Sequence, residues 1–236
     1  MYILGITSYS HDSSCCLIED GRVIFQIDEE RLNRVKHTSA FPINSIKECL
    51  KFKNLSIEDI KKITFFWQPN KEIFFSMSHI LKYLPASINL FFSKSGGSKT
   101  SAIRRIFLKK RIANEIKKNF KTKKKINIQY IDHHLCHASS VYFVSPFKES
   151  AILTMDGRGE STSTMLSHGI NNNIKIIKEY KVPNSVGHLY ASITDYLGFK
   201  AFFDEWKVMG MSAYGTDKYV KQFDKLVIIN SNNDYL

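Results

Sequence analysis

Three consecutive strand-like segments open the chain, and they constrain the fold more than any other feature. Residues 2–7 (YILGIT) are apolar enough for a buried strand, and residues 13–30 (SSCCLIEDGRVIFQIDEE) divide into two strands at Asp20-Gly21. This dipeptide tolerates positive φ, as a two-residue hairpin turn requires. The chain therefore begins with a sheet whose first strands are joined by a tight turn.

Strands and helices alternate along the rest of the chain. Pro42 is suited to open a helix, and Ile43, Ile46 and Leu50 follow at the spacing of one helix face. Further strands are predicted at residues 60–67, 126–131, 151–156, 163–167 and 174–180, and helices at about 133–143 and 186–197. This order predicts an α/β protein.

The net charge of +12 is concentrated in one segment. Residues 94–125 hold thirteen Lys and Arg against one acid, Glu115, so basic and acidic residues balance in the remainder. Apolar residues recur at helical spacing from 71 to about 120, with breaks at Pro85 and at residues 95–98, which predicts a helical insertion over about 71–125. Nucleic-acid binding through this segment is one hypothesis, but aromatic residues are few there. We rank it last and favour a solvated helical face.

The composition also indicates in which cellular compartment the protein is found. The 236 residues, of which 43% are hydrophobic, suffice for a folded core and exclude a disordered chain. The four cysteines form no CxxC pair, and two are adjacent in an apolar run, which is a poor disulfide framework. The N-terminus resembles no signal peptide, and the most apolar later stretch, 73–92, contains His79, Lys82 and Pro85. We predict a cytoplasmic protein without a membrane span.

The strongest local signal is the run Asp132-His133-His134-Leu135-Cys136-His137 at a predicted strand-to-helix junction. On a helix, His133 and His137 share a face and could reach one metal ion, and Asp156 at the end of the next strand offers a third ligand. Two imidazoles and a carboxylate suit a divalent transition metal. The alternative is that these histidines only cap and pack the start of a helix.

Four other segments carry groups with two interpretations each. Gly157 and Gly159 flank Arg158 in a turn that could present backbone N–H groups to an anion or could be a plain tight turn. His11 could act as a general base, although its neighbours are ordinary turn formers. Lys36 could supply a positive charge to an anionic substrate or belong to a solvated face, and residues 205–215 could line a ligand or be packed core.

Several of these segments together resemble a known family. The stretches LGITSYSHDSS, EERLNRVKH followed by FP, DHHLCHASS, TMDGRGE, GHLYASITDYLGF and KVMGMSAYG occur in this order between residues 4 and 215. They resemble the N-terminal domain of the NodU/CmcH-type O-carbamoyltransferases. The resemblance implies the ASKHA fold of actin and the sugar kinases, here as a ribonuclease H-like half-domain that carries the basic helical insertion.

The resemblance also implies roles for individual residues. His133, His137 and Asp156 match the family's metal ligands, with iron(II) as the expected metal. His11 matches the residue that deprotonates the acceptor hydroxyl, and Lys36 matches a residue that contacts carbamoyl adenylate. The residues expected to bind substrate are Asp12, Gly157, Arg158, Gly159 and Lys207.

The reaction implied is attack by a hydroxyl of a small-molecule or sugar acceptor on the carbamoyl carbon, with AMP leaving. ATP and carbamoyl phosphate are the co-substrates from which the adenylate is made. Family members continue with a second ASKHA half and an adenylate-forming domain, and we expect both to be absent from this chain and a separately encoded C-terminal half to be its partner. The alternative is a truncated remnant that is inactive or purely interacting.

Overall fold

The computed structural model describes residues 1–85, 107–124 and 126–228. The chain divides into two compact units, Met1–Cys136 and His137–Leu236. The predicted joint at residues 95–98 lies outside the described residues, as does the rest of the predicted insertion from residue 86 to residue 106.

The first unit is built on a five-stranded mixed sheet. Its strands are β1 (Tyr2–Thr7), β2 (Ser14–Glu19), β3 (Arg22–Asp28), β4 (Ile60–Phe65) and β5 (Ile128–Tyr130), in the order β3-β2-β1-β4-β5. The first three pair antiparallel, whereas β4 pairs parallel with both β1 and β5. Asp20 and Gly21 both have positive φ, 48° and 84°, which confirms the predicted hairpin turn.

In the described part of the first unit, four helices lie wholly inside it. They are α1 (Glu29–Asn33), α2 (Ile43–Phe52), α3 (Pro69–Lys82) and α4 (Leu108–Phe120), and a 3-10 turn covers Ile57–Asp59. The helix predicted after Pro42 is confirmed, and Ile46 and Leu50 are buried on its inner face. On α4 the buried residues are Leu108, Ile112 and Ile116, while the lysines of this helix lie outside the core. The described part of the basic segment is therefore a solvated helical face.

Helix α5 (His133–Tyr142) includes the last residues of the first unit and the first residues of the second. The second unit continues with β6 (Glu149–Met155), β7 (Thr162–Ile170) and β8 (Asn173–Lys181), which form an antiparallel sheet in that order. Its helices are α6 (Val186–Tyr196), α7 (Glu205–Met211) and α8 (Val220–Phe223), with 3-10 turns at Ser212–Tyr214 and Asp217–Tyr219.

Two sequence predictions need correction here. β7 and β8 are longer than the predicted 163–167 and 174–180, because their hairpin ladder continues over polar positions to the pair Ile170–Asn173. Residues 205–215 are not packed core, since α7 and the 3-10 turn after it contain no buried residue. Apolar composition alone does not distinguish a packed helix from an exposed one.

The α/β class is confirmed by this architecture. Three antiparallel strands followed by two parallel ones agree with the ribonuclease H-like half-domain that the resemblance implies. Among the described residues, no helix is long and apolar enough to cross a membrane.

Candidate functional site

His133 begins helix α5 directly after a short strand, as the sequence predicts. Its ring lies 5.0 Å from that of Trp67 and 5.7 Å from that of Phe66, between centroids. The preceding carboxylate, Asp132, forms an ion pair with Lys71 at 2.7 Å. His134 is fully buried, so only His133 and His137, one helical turn apart, remain on the face predicted to hold a metal.

His137 and Asp156 come together although 19 positions separate them in the sequence. His137 Nε2 lies 3.5 Å from Asp156 Oδ2, and about half of each side chain is exposed. Two ligands that are each about 2.1 Å from one ion lie roughly this far apart. Asp156 Oδ1 accepts a hydrogen bond from the N–H of Gly157 at 2.6 Å, which orients the carboxylate. His133, one turn earlier on the same helix, stays the third predicted ligand, and two imidazoles with one carboxylate are a donor set that suits a divalent transition metal.

The turn after Asp156 uses its backbone N–H groups internally. Gly157 donates to Asp156 Oδ1, and the N–H of Gly159 donates to the carbonyl of Thr162 at 2.7 Å. Arg158 makes long contacts of 3.3 and 3.5 Å with carbonyls of the same turn. These contacts are those of a tight turn, the second interpretation of the sequence. Substrate binding by Gly157, Arg158 and Gly159 stays a prediction.

His188 is a neighbour of this turn that sequence reasoning missed as a site residue. A Cβ at Gly157 would lie 3.2 Å from its ring. Burial lowers the pKa of His188, the charge of Arg158 lowers it further, and Asp156 acts in the opposite direction. Ser185, which caps α6, accepts from the N–H of His188 at 3.0 Å and donates to the carbonyl of Gly157 at 2.7 Å. Its place in GHLYASITDYLGF, one of the stretches that resemble the family, is the sequence signal that could have identified it.

Helix α6 reaches the Asp156 turn because Gly187 has no side chain. A Cβ at Gly187 would lie 2.6 Å from the carbonyl oxygen of Asp156 and the same distance from the nitrogen of Gly157. Atoms cannot approach this closely, so a side chain here would push the helix away from the turn. The close packing therefore depends on this glycine.

The β1–β2 turn brings His11 and Asp12 to a third group, His37. Nδ1 of His11 and Nδ1 of His37 each lie 2.8 Å from a different oxygen of the Asp12 carboxylate. Asp12, Glu30 and His37 also offer ligand atoms within 4.8 Å of one another. The sequence singled out His11 and Asp12 but not His37, which lies 25 positions further along the chain.

The two predicted lysines differ in their surroundings. Lys36 is exposed and has neither a hydrogen bond nor an ion pair among the residues that the structure describes. Lys207 lies on α7, where its Nζ is 2.8 Å from Asp204 and within 6 Å of the ring centroids of Phe199 and Trp206. Contact of either lysine with substrate stays a prediction.

Comparisons with known proteins assign this chain to a class. The family model described as carbamoyltransferase N-terminus matches residues 2–235. The chain therefore belongs to the carbamoyltransferase N-terminal family, which confirms the resemblance seen in its motifs.

Individual proteins are similar to most of this chain. An uncharacterized protein of Synechocystis sp. is 36% identical over 220 residues, which cover 93% of this chain and 35% of that protein. The nodulation protein NolNO of Sinorhizobium fredii is 32% identical over 214 residues, 88% of this chain and 28% of NolNO. The chain thus spans about a third of the length of these relatives.

Solved structures show only distant similarity. YeaZ from Pseudomonas aeruginosa aligns with 78% of this chain and 69% of its own, at 10% identity and a TM-score of 0.38. An Aquifex aeolicus member of the Ppx/GppA family aligns with 96% of this chain and 61% of its own, at 14% identity and a TM-score of 0.38.

Proposed function

We propose that the chain supplies the metal-binding and general-base residues of an O-carbamoyltransferase. The enzyme would move a carbamoyl group from carbamoyl adenylate, made from carbamoyl phosphate and ATP, to a hydroxyl of a small-molecule or sugar acceptor. Membership of the carbamoyltransferase N-terminal family supports this. The observation that carries it is the approach of His137 to Asp156 at 3.5 Å, one helical turn from His133.

His133, His137 and Asp156 would hold a divalent transition metal, iron(II) by the family resemblance. A metal ion bound there supplies a Lewis acid that stabilises negative charge on the carbamoyl oxygen. His11 accepts the proton of the acceptor hydroxyl, whose oxygen bonds to the carbamoyl carbon as AMP leaves. Lys36, Arg158 and Lys207 offer positive charge to the adenylate phosphate.

Metal binding is tested by titrating the purified, metal-free chain with iron(II) under anaerobic conditions. We expect one ion per chain, measured by elemental mass spectrometry after removal of free metal. His137→Ala should weaken the affinity at least tenfold, and Asp156→Asn should do the same, because even outer-shell changes cost about 10–100-fold. Asn at 156 retains an acceptor for the N–H of Gly157, so the turn can persist in that variant.

The matched control is His168→Gln. His168 also lies near a carboxylate, with its Nε2 2.8 Å from Glu149 Oε1, but on the β6–β7 ladder. This variant should bind iron(II) like the unsubstituted chain. Equal affinity in the His137→Ala and His168→Gln variants would overturn the metal assignment.

Carbamoyl transfer is tested by mixing the chain with the separately produced C-terminal part of a full-length relative, because the chain spans about a third of the length of these relatives. The mixture receives ATP, labelled carbamoyl phosphate and a panel of sugar and alcohol acceptors. Label in an acceptor, lost in His11→Asn, supports the proposal. Absence of transfer to every acceptor supports the alternative, an inactive remnant that only interacts.

A further inference from the structure

The carboxylate of Asp12 lies between the imidazoles of His11 and His37, and it contacts each ring at its Nδ1 atom. Its Oδ2 is 2.8 Å from Nδ1 of His11, and its Oδ1 is 2.8 Å from Nδ1 of His37. Partial burial raises the pKa of Asp12, but the hydrogen bonds from His37 and His11 outweigh it and hold the pKa below its usual value. The group is therefore an ionised carboxylate at neutral pH, which can only accept hydrogen bonds, so both Nδ1 atoms must donate.

The loop that carries His37 is itself held in place. The N–H of His37 donates to Glu30 Oε2 at 2.9 Å, and the residue adopts a left-handed conformation with φ of 53°. The adjacent carbonyl of Thr38 accepts from the N–H of Ser13 at 3.0 Å, next to Asp12 in the β1–β2 turn. His37 therefore approaches Asp12 from a fixed position.

Asp12 also has a conformation that suits its residue type. Its φ is 53°, in the left-handed region that Asp and Asn tolerate better than most residues. Its carbonyl accepts from the hydroxyl of Thr7 at 3.1 Å. An Asn at this position should preserve the backbone of the turn, while it changes the hydrogen bonds of the side chain.

We propose that Asp12 is a positioning residue that holds His11 as the Nδ1–H tautomer, with His37 anchoring the opposite oxygen of the carboxylate. In this tautomer the lone pair of His11 is on Nε2, which is the atom left to accept a proton. The His11 side chain is 76% exposed, so an acceptor can reach that nitrogen. A single hydrogen-bonded pair of exposed side chains, His11 and Asp12 alone, would be mobile. The second hydrogen bond, from His37, restrains the carboxylate and through it the imidazole.

This inference rests on the proposed function, in which His11 is the general base. In the transfer step the hydroxyl proton moves to Nε2 of His11, the acceptor oxygen bonds to the carbamoyl carbon, and the bond from that carbon to the AMP phosphate oxygen breaks. Asp12 stays ionised throughout and stabilises the imidazolium that forms. His37 exchanges no proton in this step.

The test is nitrogen-15 NMR of the full chain with labelled histidine, at a pH where imidazoles are neutral. We expect the Nδ1–H tautomer for both His11 and His37. Asp12→Asn leaves one oxygen acceptor and one amide donor, so at most one imidazole can keep that tautomer. Asp12→Ala should release both, and His37→Gln should lower the Nδ1–H population of His11.

His168 provides a reference in the same spectra. It donates through Nε2 to Glu149 at 2.8 Å, so it should show the opposite tautomer. Glu149→Gln should change the signals of His168 and leave those of His11 unaltered. An Nε2–H tautomer for His11 in the unsubstituted chain, or no tautomer change in either Asp12 variant, would overturn the inference.

Kinetics separate this inference from the function on which it rests. With the C-terminal part of a full-length relative present, Asp12→Asn should lower kcat about 10–1,000-fold, while KM for the carbamoyl donor changes less than about twofold. Equal losses in kcat and in donor affinity would contradict a positioning role. If His11 keeps the Nδ1–H tautomer but no carbamoyl transfer occurs, the positioning role of Asp12 stands and the proposed function is overturned.

Discussion

Tyr9 shows how the environment of one residue follows from its packing. It lies in the β1–β2 turn, where its ring is 6.1 Å from that of Phe41 and the guanidinium of Arg111 lies 4.0 Å over its face. Its hydroxyl is buried without a hydrogen-bond partner among the described residues. Burial raises the pKa of Tyr9 to about 12, although the charge of Arg111 acts in the opposite direction.

This environment predicts a titration step at alkaline pH. Because the folded-state pKa lies above the unfolded value of about 10, the neutral phenol stabilises the fold below pH 10, and this contribution is lost as pH rises to about 12. Tyr130 has a pKa of about 12 as well, so the step in absorbance at 295 nm near pH 12 should include both of these phenols. Tyr9→Phe should reduce the amplitude of this step by one phenol.

Tyr130→Phe is the comparison for this titration, because burial also raises the pKa of Tyr130 to about 12. It should likewise reduce the step near pH 12 by one phenol. A Tyr9→Phe variant that retains the full amplitude of this step would contradict the burial of the Tyr9 hydroxyl.

At the scale of elements, α2 depends on a side chain from another helix. Pro42 precedes α2 and makes no side-chain cap. Instead Glu29, the first residue of α1, accepts from the N–H and the hydroxyl of Ser45 at 2.8 Å each and from the side chain of Asn44 at 2.7 Å. A buried carboxylate at a helix N-terminus also interacts favourably with the positive end of the helix dipole. Glu29 therefore connects the two helices.

Removal of the Glu29 carboxylate should destabilise the fold. Glu29→Ala leaves the donors of Ser45 buried without an acceptor, and we expect the free energy of unfolding to fall by about 2–4 kcal/mol. Urea unfolding followed by circular dichroism measures the change. In the control, Glu48→Ala, the lost partner is an exposed Lys51 at 3.6 Å, so the change should stay within about 1 kcal/mol. Equal losses in the two variants would show that Glu29 does not support α2.

At the scale of the molecule, the two units have cores of different size. Among the described residues, the cluster of the first unit contains fifteen buried apolar residues, thirteen from its sheet, α2 and α4, together with Phe41 and Ile57. The cluster of the second unit contains Ala138, Tyr142, Ile152 and Met165. Because burial of apolar area is the main source of stability, the first unit should be the more stable.

Hydrogen–deuterium exchange followed by mass spectrometry measures this difference. Peptides from β1 and β4 should exchange at least about tenfold more slowly than peptides from β6 and β8, since the amides of a larger core open less often. Residues 220–223, which are exposed, provide a fast-exchanging reference within the chain. Equal protection of β1 and β6 would contradict the difference in core stability.

Structural features that depend on neighbouring residues along the chain can be predicted from the sequence. Strand alternation, the Asp20-Gly21 turn and the helix that begins at His133 follow from local periodicity and backbone preference. The shared helix face of His133 and His137 follows from the same rule. The family could also be predicted, because its motifs are contiguous stretches.

Which side chains distant in the sequence come into contact depends on the tertiary structure. Asp12 reaches His37 across 25 positions, and His137 reaches Asp156 across 19, through loops whose course no local pattern specifies. The burial of Glu29 and the exposure of residues 205–215 were equally beyond the sequence, since both depend on what packs against them. Periodicity assigns a residue to a face, but burial and hydrogen bonding are properties of the folded packing.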